Sequence, residues 1–225
     1  MFKQSLLALA LSAAAIGAQA HQLWLERDAS GPVRVYVGDA DSAHDSGEEV
    51  AKLAATTQVF TTDRAQPAKL VVKPDHLEAA VAEMGATGAT GGTGDVRLVN
   101  DQVWKPWKTK EGHTKAAVFN ARAGRTDTHA VLDYELVPVK AGGDTFTLFF
   151  RGQPVADKAV TVINPQKWSK HFKTDKAGRI DVPVKEKGRY ILVSAHDADP
   201  VGELEIAGQK VQKLGYTATL SFVAR

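Results

Sequence analysis

Short runs rich in β-branched and aromatic residues recur along this chain, broken by glycine, proline and aspartate. VRVYV (33–37) opens after Gly31-Pro32, and AKLVV (68–72), DVRLVN (95–100), 115–121 and 131–139 follow the same plan. From Thr145 onward the runs tighten: TFTLFF (145–150), KAVTVI (158–163), WSKHFKT (168–174), RIDVPV (179–184), RYILVSA (189–195) and YTATLSFVA (216–224). Several short strands with turn residues between them predict a mainly β chain built as sandwiches. Two segments read differently. GEEVAKLAA (47–55) and PDHLEAAVAEM (74–84) carry good helix formers, and Asp75 suits the cap of the second, so both are predicted helical. The Gly/Thr stretch ATGATGGTG (86–94) reads as a loop. It lacks the Lys-Ser/Thr of a phosphate-binding loop and the strand-then-helix setting of a dinucleotide fingerprint. A boundary is expected near ELVPVKAGGD (135–144), giving two β-sandwich domains at 21–138 and 139–225.

The first twenty residues change the picture of where the chain works. Lys3 precedes an apolar run from Leu6 to Ile16, and Ala18-Gln19-Ala20 fits a signal-peptidase site. The run is shorter than the roughly 20 apolar residues of a membrane span, and no later segment is longer. The expected product is an exported, periplasmic, soluble protein whose first residue is His21. Removing 20 of 225 residues leaves 205, enough to bury a core without staples. The chain has no cysteine, which excludes disulfides, thiolate metal sites and cysteine nucleophiles. A net charge of +2, less one when Lys3 leaves, argues against a nucleic-acid binder.

The tail carries a family likeness. GQPVADKAVTV (152–162), KTDKAGRIDVPVKEKGRYILVSAHD (173–197) and YTATLSFV (216–223) resemble a transthyretin-like or Cna-B-like Ig sandwich, with Asp175 and Gly178 suited to a tight turn. Together with His21, Trp24 and Leu25 at the start and the Glu135–Pro138 joint, the chain resembles a family of periplasmic proteins described as the periplasmic component of cobalt or nickel transport. That likeness covers nearly all the mature chain and is firmest at its two ends. It implies two Ig-like sandwiches, nickel or cobalt as cargo, and a membrane transporter or outer-membrane receptor as partner. It also implies a histidine after the last core strand, matched by His196. His44, in VGDADSAHDSGEE (37–49), takes the place of the family's Gly-His-x-Phe-Pro-like stretch, without the Phe-Pro.

The residues point the same way on their own chemistry. A histidine at position one offers its α-amine and its ring to the same ion, closing a six-membered chelate. An amine pKa of about 7.7–8.0 leaves only a modestly held proton to displace. Nitrogen donors suit divalent nickel, cobalt, copper and zinc. His44 sits among Asp39, Asp41 and Asp45, and His196 opens His-Asp-Ala-Asp at a strand end, next to Asp197. The expected metal site is therefore His21, His44 and His196, with Asp45 or Asp197 beside them. His129 reads first as a surface or capping residue, and His76, His113 and His171 as structural ones. Serines without a Gly-x-Ser-x-Gly elbow and the absence of His-Glu-x-x-His argue against an enzyme. Trp104 and Trp107 (WKPW) read either as a carbohydrate or partner platform or as the cap of a core edge. Two other functions fit the same residues: a copper histidine-brace redox protein, and an Ig-like interaction module without metal.

Overall fold

One large sheet carries a hydrophobic core on each of its faces. The structure, a computed structural model, describes residues 21–28, 31–80 and 94–225; the leader read at 1–20 and the Gly/Thr loop before Gly94 lie outside the described residues. The chain is mainly β. The large sheet has the order β13 (Ser169–Lys173), β12 (Ala159–Ile163), β15 (Gly188–Ala198), β18 (Lys213–Ala224), β8 (Thr114–Ala123), β6 (Val96–Asn100) and β3 (Gln58–Phe60), with β7 (Trp107–Lys108) also on β8. The β18–β8 pair is parallel, so this sheet joins strands from both halves of the sequence.

Residues facing opposite sides alternate along a strand. Tyr216, Ala218, Leu220 and Phe222 of β18 face a core shared with β9 (Tyr134–Pro138), β10 (Thr145–Phe150) and β14 (Arg179–Asp181), which form a second sheet with β11 (Gln153–Pro154). Phe119 and Ala121 of β8 face the other way. There they meet a third sheet of order β1 (Gln22–Glu26), β2 (Val33–Gly38), β5 (Leu77–Ala79) and β4 (Leu70–Val72). The 138/139 joint is the turn from β9 into β10, which pair antiparallel. A small hairpin, β16 (Leu204–Ile206) and β17 (Gln209–Val211), completes the strands.

The strand that positions the site is β1, the edge of the third sheet. Leu23 and Leu25 enter the first core, each burial contributing about 1.5–3 kcal/mol, while Trp24 stacks on Tyr36 beside Ile163 and Ile191. Its outer carbonyls would be orphaned at an edge. They are capped by β18: Thr219 Oγ1 donates to Leu23 O (2.8 Å), and Ser221 Oγ donates to Leu25 O. The amino end of β1 is thus clamped to the large sheet on the face opposite Tyr216.

The helix expected over 47–55 forms as α1 (Glu48–Leu53), with Glu48 and Glu49 in its first turn and Lys52 in its last, matching the helix dipole. The helix expected from Pro74 does not form over the described part of that segment. Leu77 and Ala79 are buried, and β5 pairs with β2 through Leu77↔Val35 and Ala79↔Val33. Helical propensity in so short a segment is worth only tenths of a kcal/mol per residue, and it loses to two buried side chains and a ladder of backbone bonds.

Candidate metal-binding cleft

Gly38 brings the site together. It ends β2 opposite Gln22, bridges to His44, and takes a φ of +129°. A Cβ at this position would lie 2.7 Å from His44 Cα and 2.8 Å from Ala43 O, so only glycine admits the loop so close. The loop closes with Asp39 N–H on Ala43 O (2.8 Å) and Asp45 N–H on Val37 O (2.7 Å). The main-chain N–H of Ala40 donates to Gln22 Oε1 (3.3 Å), tying the same loop to β1. His21 precedes Gln22, so this register sets it beside Asp45: Nε2 lies 3.5 Å from Asp45 Oδ1. His21, His44, Asp45, Ser46, Glu49 and Trp104 line one open cleft of about 520 Å³.

The donors in this cleft remain available. The His21 side chain is 49% exposed and that of Asp45 is 32% exposed. His44 Nδ1 lies 3.3 Å from the Asp45 carbonyl oxygen, which only accepts, so donation there leaves the Nε2 lone pair for a ligand. Glu49 contributes a carboxylate that Lys52 Nζ meets at 2.8 Å. Trp104 forms a wall, its ring edge-on to Phe119 at 5.1 Å, and remains 37% exposed. Trp104 therefore caps a core edge, while Trp107 on β7 is exposed. The combination of imidazoles and carboxylates fits borderline divalent cations by donor chemistry. Among the described residues, no three His, Asp or Glu side chains stand preassembled around one point.

The other expected ligands lie elsewhere. His196 sits inside β15, which continues to Ala198, and pairs with Tyr216. It therefore faces the core opposite β1, its ring 4.5 Å from Phe150 and 5.5 Å from Tyr134. Burial pushes its pKa down, and the nearby positive charge of Lys158 pushes the same way. Its Nδ1 is buried without a partner among the described residues. Asp197 faces the β1 side, but Lys115 Nζ holds it at 2.7 Å. His129 pairs with Asp127 (3.0 Å) and His171 with Thr161 Oγ1 (3.0 Å), both exposed.

His76 is nearer the cleft than its sequence position suggests. Tyr36 separates it from His44, with ring centroids 5.4 Å and 4.9 Å away. His76 Nδ1 faces Asp75 Oδ1 at 2.7 Å and Nε2 faces Glu78 Oε1 at 3.2 Å, so both nitrogens are occupied. The His76 hydrogen bond holds both carboxyls below their ordinary values, and His44 adds a weaker pull on Asp75. Sequence reading missed this triad because a helix over 74–84 does not put His76 and Glu78 on one face, whereas a strand does. It missed Glu49 because Glu49 is near His21 only once Gly38 folds the loop back, and Trp104 because it comes from a separate loop after β6 that packs on Phe119. Compared with known proteins, the chain matches no family model and no curated protein sequence.

Proposed function

We propose that this chain is a periplasmic protein that binds a divalent transition metal, nickel or cobalt first and copper next, and passes it to a membrane transporter or outer-membrane receptor. Export and cleavage before His21 would free the α-amine. The amine and ring of His21 would then form one chelate, with His44 Nε2 and the Asp45 carboxylate as further donors. The observation that carries this reading is the convergence of His21, His44, Asp45 and Glu49 on a single cleft. The openness of the cleft suits transfer, because cargo must leave by exchange with a second set of ligands, unlike the closed shell of a structural zinc site. His196 and Asp197 are not part of the proposed shell, since one faces away and the other is paired with Lys115.

The test is calorimetry on the processed chain with Ni²⁺, Co²⁺ and Cu²⁺, beside a His21→Ala/His44→Ala double variant. One ion per chain, bound at micromolar affinity or tighter, is expected for the processed chain, with at least a tenfold loss in the variant. No binding by the processed chain removes the metal reading and leaves an interaction module, and equal binding by both proteins removes this cleft as the site.

A further inference from the structure

A second, smaller pocket lies on the far side of the large sheet from the histidine cleft. The 131–133 segment and the β16–β17 hairpin meet the face of β6 and β8 there, leaving a space of about 200 Å³. Phe60, Val99, Val118, Leu132, Ile206 and Leu214 make an apolar wall, and Tyr216, Asp101, Asp133 and Arg64 supply a polar part of the lining. Asn120 also lines it. This residue is 2% exposed, and its Nδ2 has no hydrogen-bond partner among the described residues. Its neighbour two places along β8, Arg122, is equally buried but fully partnered by carboxylates: Asp95 Oδ2 at 2.9 Å and Glu135 Oε1 at 3.0 Å. A buried amide donor without an acceptor is costly, and native structures seldom leave one so. Asp101 and Asp133 outnumber Arg64 in the lining, which disfavours an anion as the ligand.

We infer that this pocket binds a small neutral molecule with an apolar body and one carbonyl-type acceptor, which receives the Asn120 Nδ2–H. The volume is below the ~300–1,000 Å³ of drug-sized sites and holds about ten non-hydrogen atoms at protein-like packing. The apolar part of the wall gives affinity, and the buried Asn120 amide gives orientation. The site is independent of the metal cleft, from which the large sheet separates it.

The test uses ¹H–¹⁵N NMR on the full chain with two probes that differ by the carbonyl oxygen, acetophenone and ethylbenzene. Acetophenone is expected to shift the Asn120 side-chain NH₂ signals saturably and to bind about fivefold tighter than ethylbenzene, the margin of one hydrogen bond. In Asn120→Leu the two probes bind alike. Leu204→Trp, at a partly exposed part of the wall, fills the space and abolishes both, so the test does not depend on the Asn120 variant folding. No saturable shift at Asn120, as for a pocket holding only water, overturns the proposal. So does equal binding of both probes by the unaltered chain, or binding that survives Leu204→Trp.

Discussion

Two charged clusters in this molecule differ in what their partners leave free. The first is sealed. Arg97 and Arg122 are both fully buried, Glu135 is 1% exposed and Asp95 3%. Arg97 Nε and Arg122 Nη1 share Glu135 Oε1 at 2.8 and 3.0 Å, while Glu135 Oε2 accepts the backbone N–H of Val131 (2.6 Å) and Leu132 (2.9 Å). Each charge already has its counterpart, and the network fastens β6 and β8 to β9. The second cluster is the His21–His44–Asp45 cleft, where lone pairs face solvent and His21 Nε2 stands 3.5 Å from Asp45 Oδ1. A polar cluster whose partners are saturated holds strands together. One left incomplete at the surface is where a ligand is worth seeking.

The sharpest way to break this contrast is Glu135→Ala. It leaves two buried guanidiniums short of a carboxylate and is expected to cost about 3–5 kcal/mol in denaturant unfolding. The cleft is assembled by Gly38 and β1, so metal affinity of the folded fraction should be unchanged. A loss under about 1 kcal/mol would show that the arginines find other partners.

Acid exposes the same network from its edge. Burial pushes the Asp127 carboxyl up, but hydrogen bonds from Arg97 and from the backbone N–H and ring of His129 outweigh it and hold the pKa at about 2, against an ordinary 3.8. The folded value lies below the unfolded one, so this stabilisation is fully present above about pH 4 and is lost as pH falls through 2. Asp127→Asn should flatten the dependence of the urea midpoint on pH between about 4 and 2. A variant that follows the parent curve there would place the acid sensitivity elsewhere.

The smallest expected effect is on His196. His196→Phe keeps a ring among Phe150, Tyr134 and Tyr216 and removes nothing from the cleft, so Ni²⁺ or Cu²⁺ affinity should stay within about twofold. Because burial depresses the His196 pKa, the parent also loses a little stability as pH falls below the unfolded value of about 6.5, and the variant should not. A large loss of metal affinity in His196→Phe would mean that the two faces of the sheet communicate.

How much of this was legible in the sequence depends on what each feature required. The strands from 145 onward could be read locally, because β-branched runs between turn residues need no distant information. So could α1, with acids first and lysine last. Strand β5 could not: its leucine, glutamate and alanine favour a helix, and only β2 and β4 on either side make it a strand. The pairing of His21 with His44 followed from the choice of ligands, yet its cause, the close approach at Gly38, is a tertiary fact. His196 was misplaced because β15 was expected to end at Ala195. Three further residues of strand put its ring on a face fixed by register with β18, and a register of that kind cannot be read from one strand alone.

The central claim is that the amine of His21 is a ligand, and lengthening the chain by one residue tests it most directly. An extra methionine before His21 turns the amine into an amide, a poor donor, while the histidine ring, His44 and Asp45 remain. Ni²⁺ and Cu²⁺ affinities of the processed and extended chains are compared at one pH, with circular dichroism confirming the same fold. Loss of one arm of the chelate predicts at least about a tenfold weaker complex, or ~1.4 kcal/mol. Equal affinities would contradict the claim.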